Sequence, residues 1–146
     1  MDVTADLQGF WKPDKTFVLK EIAVLHPGAL TPIVFQFAAP CPWRDLPTSY
    51  QKKNRWLEQR FHGLRWRAGG FPYDTVRNIL TSLLKGATRI YVKGYEKAFW
   101  LRQLSGLDIP IVDLSELGCP SLRKLQSTNT TCAARNVILL AKWLQP

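Results

Sequence analysis

Apolar residues change their spacing along the chain, and the changes mark out the elements. In FVLKEIAVL, Phe17 to Leu25, they alternate around two charges. A strand over about 16–25 places Phe17, Leu19, Glu21, Ala23 and Leu25 on one face and Val18, Lys20, Ile22 and Val24 on the other. Residues 1–15 read as a polar lead. HPGALT then suits a turn with positive φ at Gly28. TPIVFQFAA reads as a second strand, antiparallel to the first, and the prolines of PCPWRDLP end it.

From Ser49 to Phe61 the period becomes helical, with Tyr50, Asn54, Leu57 and Phe61 on one side. HGLRWRAGGFP is a loop. Asp74 to Leu84 predicts an amphipathic helix with Val76, Ile79, Leu80 and Leu83 as its apolar stripe and Gly86 just past its end. ATRIYVKG predicts a strand, YEKAFWLRQL a helix, IPIVDL a strand, SELGCPSLRKL a short helix and TCAARNVILLAKWL the closing helix. The order is β-β-(α)-α-β-α-β-α. Strands separated by helices imply parallel crossovers added to an antiparallel hairpin. The expected fold class is therefore α/β, one domain over 1–146, with a mixed sheet and flanking helices.

Glu21 stands out in this pattern, because a carboxylate on an apolar strand face needs a partner, a metal or water. Composition adds the next constraint. The chain has 146 residues, 46% hydrophobic, with six Trp, enough for a core. It shows no apolar run long enough to span a membrane, and its N-terminal stretch has no secretory pattern. Cys41, Cys119 and Cys132 are too few for a disulfide scaffold, so a reducing compartment, cytoplasmic or nuclear, is expected.

Charge changes the picture most. The net charge is +9 with pI ≈ 9.8, which points to a polyanionic partner. Residues 1–43 carry three Lys/Arg against four Asp/Glu, whereas 44–67 carry seven against two. SYQKKNRWLEQRFHGLRWRAGG interleaves Lys52, Lys53, Arg55, Arg60, Arg65 and Arg67 with Tyr50, Trp56, Phe61 and Trp66. Phosphates suit the basic groups and unstacked bases suit flat rings. Trp66, between Arg65 and Arg67, is the ring placed best for a single-strand groove; Trp56 and Phe61 fit the core better. His62 reads as a hydrogen-bonded loop residue. Cys41, His62, Cys119 and Cys132 could in principle assemble a zinc site, although no short Cys pair marks one. In its most specific form, zinc would bridge Cys119 and Cys132 across the polar loop QSTNTT.

The element order, with a carboxylate in the first strand, resembles the ribonuclease H-like fold and, more narrowly, the DEDD-type 3′–5′ exonucleases. FVLKEIAVL stands where their first motif would be, and FHGLRW with DTVRNILTSLLKGATRIYV leads to the second. IPIVDLSELGCPSLRKL and CAARNVILLAKWL resemble the next strand and the final helix. The phrases NRWLEQRFHGLRW, YVKGYEKAFWL, GCPSLRKL and CAARNVILLAKWL are also similar to a group of small arthropod and insect-virus proteins, which implies a shared fold and nothing about activity.

The exonuclease resemblance implies an Asp-x-Glu on the first strand, an Asp on a helix after a later strand, and a His or Tyr plus an Asp on the last helix. On this alignment Leu19 stands for the first Asp and only Glu21 survives. Lys97 or Trp100 stands for the second Asp, with Glu96 beside it, and Cys132 and Asn136 stand in the last helix. Two divalent ions need several acidic oxygens, so a degenerate, non-cleaving site follows, with Glu21 as its remnant. Lys93 and Lys97 near that site could hold a phosphate without metal. The expected function is binding of nucleic acid, RNA in preference to DNA, with no cofactor and no membrane association. Two alternatives stay open. One is an active Mg- or Mn-dependent nuclease built from Glu21, Asp113, Glu96 and Asp74. The other is an adaptor for a protein partner.

Overall fold

The computed structural model describes residues 1–125 and 132–145. Its element order is β1 (Asp2–Lys12), β2 (Thr16–Leu25), β3 (Ile33–Gln36), α1 (Thr48–Arg60), α2 (Val76–Leu84), β4 (Arg89–Val92), α3 (Tyr95–Ser105), β5 (Ile111–Asp113), α4 (Leu122–Leu125) and α5 (Ala133–Leu144). The strands form one sheet in the order β3-β2-β1-β4-β5. β1, β2 and β3 pair antiparallel, while β4 joins β1 and β5 joins β4 in parallel. The protein is thus α/β, a mixed sheet with flanking helices, as the pattern predicts.

The N-terminus departs from expectation. Residues read as a polar lead form the longest strand, β1, at the centre of the sheet. Val3, Ala5 and Leu7 enter the main core beneath α2 and α3, while Thr4, Asp6 and Gln8 are buried on the opposite face. The hairpin that opens the sheet is β1–β2, turning through Asp14 and Lys15, both at positive φ. FVLKEIAVL is therefore the second strand.

A β-bulge also breaks its alternation. Gln8 pairs with Glu21 but Gly9 pairs with Leu19, leaving Lys20 as the extra residue. Phe17, Leu19, Ile22 and Val24 consequently share the main core, and Val18 and Ala23 face the other way. Glu21 is not on the face of Leu19 at all. The Leu19 amide donates to the Tyr73 hydroxyl at 3.1 Å. Gly9 is needed here because a Cβ would lie 2.0 Å from the Val18 carbonyl oxygen.

On the second face, Ala133 and Val137 of α5 pack on Ala23. α1 packs at the far end of β1, where buried Asn54 makes two hydrogen bonds to the Trp11 backbone, 2.8 and 2.9 Å. Among the described residues no helix is long and apolar enough to cross a membrane.

Candidate functional site

Alternation along β1 drives Asp6 to the α5 side of the sheet, where its side chain is 0% exposed. A buried carboxylate needs strong donors, and three side chains supply them. Lys97 Nζ lies 2.6 Å from Oδ1, Asn136 Nδ2 donates to Oδ2 at 2.9 Å, and Gln8 Nε2 donates to the same oxygen at 3.3 Å. These residues come from β1, the first turn of α3 and α5. A cation in a helix's first turn meets the positive end of the macrodipole, so the Asp6 contact supplies what the helix withholds.

Asp113 holds the approach to that turn. Its Oδ1 accepts from the Gly94 amide at 2.8 Å and the Ser115 amide at 2.9 Å. Burial alone would raise its carboxyl, but those amides and nearby Lys93 outweigh it and hold the group below the usual carboxylate range. Lys93 Nζ donates to Ser115 Oγ at 2.7 Å.

Glu21 is close by in the sheet but has a different job. Its Oε1 accepts from the Ala133 amide at 3.0 Å and its Oε2 from Gln36 Nε2 at 2.8 Å. No side chain of α5's own N-cap, Cys132, caps that helix. A carboxylate from β2 does so instead, favoured by the helix dipole. Glu21 thus ties β2, β3 and α5 together. Glu21→Ala is expected to lower stability by about 1–3 kcal/mol in urea unfolding.

Several other sequence-derived candidates need correction. Trp66 is only 3% exposed: it packs on Phe10 and donates through Nε1 to the Cys41 carbonyl at 2.8 Å, which leaves no face for a base. Trp56 shows the reverse error, being 58% exposed, and Phe61 is also exposed. Lys97 has its charge matched by Asp6, so it is an internal counter-ion and not a free phosphate ligand. The basic residues of the 44–67 stretch are divided between two sides of α1. Lys53 Nζ lies 4.9 Å from the centre of the Trp11 ring, whereas Arg55 sits over Trp43. Arg67 lines a separate pocket with Trp43 and Arg44, and Lys52, Arg60 and Arg65 are exposed.

His62 is a loop residue, buried and fully engaged. Its Nε2 lies 2.9 Å from the Gly9 carbonyl and its Nδ1 accepts from the Leu64 amide at 3.0 Å, the pattern of a neutral ring donating through Nε2. Burial lowers its pKa to about 4; the Gly9 bond opposes that shift, and Lys97 and Lys20 add to it. Lys20, the bulge residue, is also buried and is pushed down to about 8 by burial. It donates to the Trp66 carbonyl at 2.7 Å and to that of Ala68, pinning the basic loop to the sheet.

The proposed zinc ligands do not converge. Cys41 is half-buried near Trp66, Cys119 is buried with Leu114 and Leu140, and Cys132 is exposed at the start of α5. QSTNTT, residues 126–131, lies outside the described residues. Among the described residues, no three His, Cys, Asp or Glu side chains form a group that could hold a metal ion. Glu21, Asp113, Glu96 and Asp74 do not form such a group.

Beside the Asp6 cluster runs a groove of about 420 Å³ between α1 and the start of α3. Gln8 and Trp11 line it from β1, Leu57 from α1 and Phe61 from just past its end, and Lys93 and Lys97 from the α3 side. Trp100 stacks on Phe17 at 3.9 Å between ring centres, and Trp11 meets both rings edge-on. Asp6, Gln8 and this aromatic wall were missed in the sequence, although the alternation V-T-A-D-L-Q marks a strand. No known protein-family model matches the chain, and no curated protein sequence does.

Proposed function

We propose that this chain is a ribonuclease H-like protein whose exonuclease-type site has become metal-free, and that it holds nucleic acid without cutting it. The observation that carries this reading is the Lys97 ammonium on the Asp6 carboxylate. With the first strand corrected to β1, Asp6-Leu7-Gln8 stands where the resemblance implies Asp-x-Glu. Lys97 stands for the Asp on a helix after a later strand, and Cys132 and Asn136 stand for the pair on the last helix. Asp6, Gln8, Lys97 and Asn136 converge as members of one site would.

The residues present do not fit a two-metal centre. Such a centre needs several acidic oxygens against two divalent ions. This cluster offers one carboxylate, already paired with a cation, and two carboxamides. Gln8 and Asn136 keep the shape of acids without their charge, and Lys97 brings its own positive charge in place of an ion's.

The surplus of basic side chains on α1 and the loop after it supplies long-range attraction for phosphates. The aromatic groove suits unpaired bases, the form in which RNA is most often read, which is why RNA is favoured over DNA. Exposed Trp56 on α1, with the basic residues split between two sides, gives some support to a second reading as a protein adaptor.

Binding of labelled single- and double-stranded RNA and DNA, measured by fluorescence anisotropy over a salt series, tests the reading. Single-stranded RNA is expected to bind best, with affinity falling steeply between about 50 and 200 mM salt. Absence of binding at low salt would remove the nucleic-acid reading and leave the adaptor.

A further inference from the structure

A second concavity, of about 400 Å³, continues the groove away from Asp6. Trp11, Tyr50, Tyr95 and Phe99 give it aromatic walls, and Lys15 and Lys53 stand at its rim. It shares Trp11, Tyr95, Glu96 and Trp100 with the neighbouring groove, so the two form one path along α3. None of these residues belongs to the Asp6 cluster.

Tyr95 and Phe99 are four residues apart on α3 and therefore share a helix face. They are 77% and 48% exposed, and among the described residues neither belongs to a core cluster. Both rings stand outside those clusters, on a part of α3 that meets solvent. What they offer is flat apolar surface inside a concavity of a size that suits a small ligand. The charges decide which kind. Two lysines face one carboxylate, Glu96, so the slot has a positive surplus, and Lys93 adds another cation further along the path.

We infer that this slot takes the unpaired bases of a single-stranded nucleic acid, which stack on Tyr95 and Phe99 while Lys15 and Lys53 meet the flanking phosphates. The inference rests on the nucleic-acid-holding reading above. A duplex keeps its bases stacked on one another and offers the rings nothing. Each ring accepts any base, because every base has a π-face. The slot therefore selects for strandedness rather than sequence.

The test compares a labelled oligoadenylate RNA of about 12 nucleotides with an abasic ribose-phosphate strand of the same length. Anisotropy would be read for the wild-type protein and for the double variant Tyr95→Ala/Phe99→Ala. The variant is expected to weaken oligoadenylate binding roughly tenfold or more and to leave the abasic strand's affinity where it was. In the wild-type protein, a strand carrying 4-thiouridine should photocross-link within residues 94–102. If RNA binds but the variant matches the wild type and the cross-links fall elsewhere, the slot is wrong and the nucleic-acid reading stands. Equal weakening of both strands would also overturn it, by reducing the site to charge alone. If no strand binds the wild-type protein, both readings are lost.

Discussion

Lys97→Met is expected to destabilise the protein by about 3–5 kcal/mol, because it strands a buried carboxylate without its cation. Asp6 is wholly inside the protein, and the amides of Gln8 and Asn136 would be left as the hydrogen-bond donors described for it. The double variant Asp6→Asn/Lys97→Met should recover most of that loss, since the charge and its counter-charge go together. Urea unfolding of the wild type, both single variants and the double closes the cycle. A Lys97→Met protein as stable as the wild type would mean the ammonium is not neutralising Asp6. The pair is not thereby a source of net stability, because an apolar replacement of both partners can match it.

The second large effect is acid sensitivity centred on His62. Its folded pKa is about 4 against an ordinary 6.5, so between those values the unfolded chain binds the proton and the folded protein does not. Stability from this group is complete above pH 6.5 and is lost as pH falls toward 4. The gap corresponds to about 3 kcal/mol. Protonation would also end the Nδ1 acceptance from the Leu64 amide. His62→Gln keeps a donor for the Gly9 carbonyl and an acceptor for that amide, with nothing to titrate. Unfolding free energies measured from pH 7 to 4 should fall steeply for the wild type and much less for the variant. Equal slopes would place the acid sensitivity elsewhere.

Most of the architecture was legible because most elements follow one period. The α2 stripe of Val76, Ile79, Leu80 and Leu83, and the helix before IPIVDL, came through plainly. SELGCPSLRKL, by contrast, is not one helix: a 3-10 turn over Leu114–Leu117 stops at Gly118 and α4 takes up only Leu122–Leu125. β1 was lost because the strand that passes through the site buries Thr4, Asp6 and Gln8, residues that normally mark a solvent face. Buried polar groups of this kind concentrate where a fold departs from its own local rules. The bulge at Lys20 was invisible for another reason: strict alternation assigns every residue of a strand to a face, and one extra residue reverses the assignment upstream of it. That reversal made Glu21 look like an orphan on an apolar face.

The site was half legible. Lys97 and Asn136, two of the residues to which the resemblance pointed, do meet at Asp6. Asp6 lies on β1, one strand before the one to which the resemblance assigned its first motif. Long-range partners explain the rest: Glu21 meets the Ala133 amide across 112 positions, and Trp66 finds the Cys41 carbonyl, neither of which spacing can reveal. Trp66 turned out buried and Trp56 exposed, the reverse of expectation, because neighbouring arginines say nothing about which way a ring turns.

The most direct test of a metal-free, non-cleaving site is an end-labelled substrate assay. Single- and double-stranded RNA and DNA would be incubated with the wild-type protein in Mg²⁺ or Mn²⁺, beside an Asp6→Ala control, and resolved on a denaturing gel. The account predicts full-length substrate in every lane. Metal-dependent shortening by the wild type that disappears in Asp6→Ala would contradict it and make Asp6 a catalytic carboxylate.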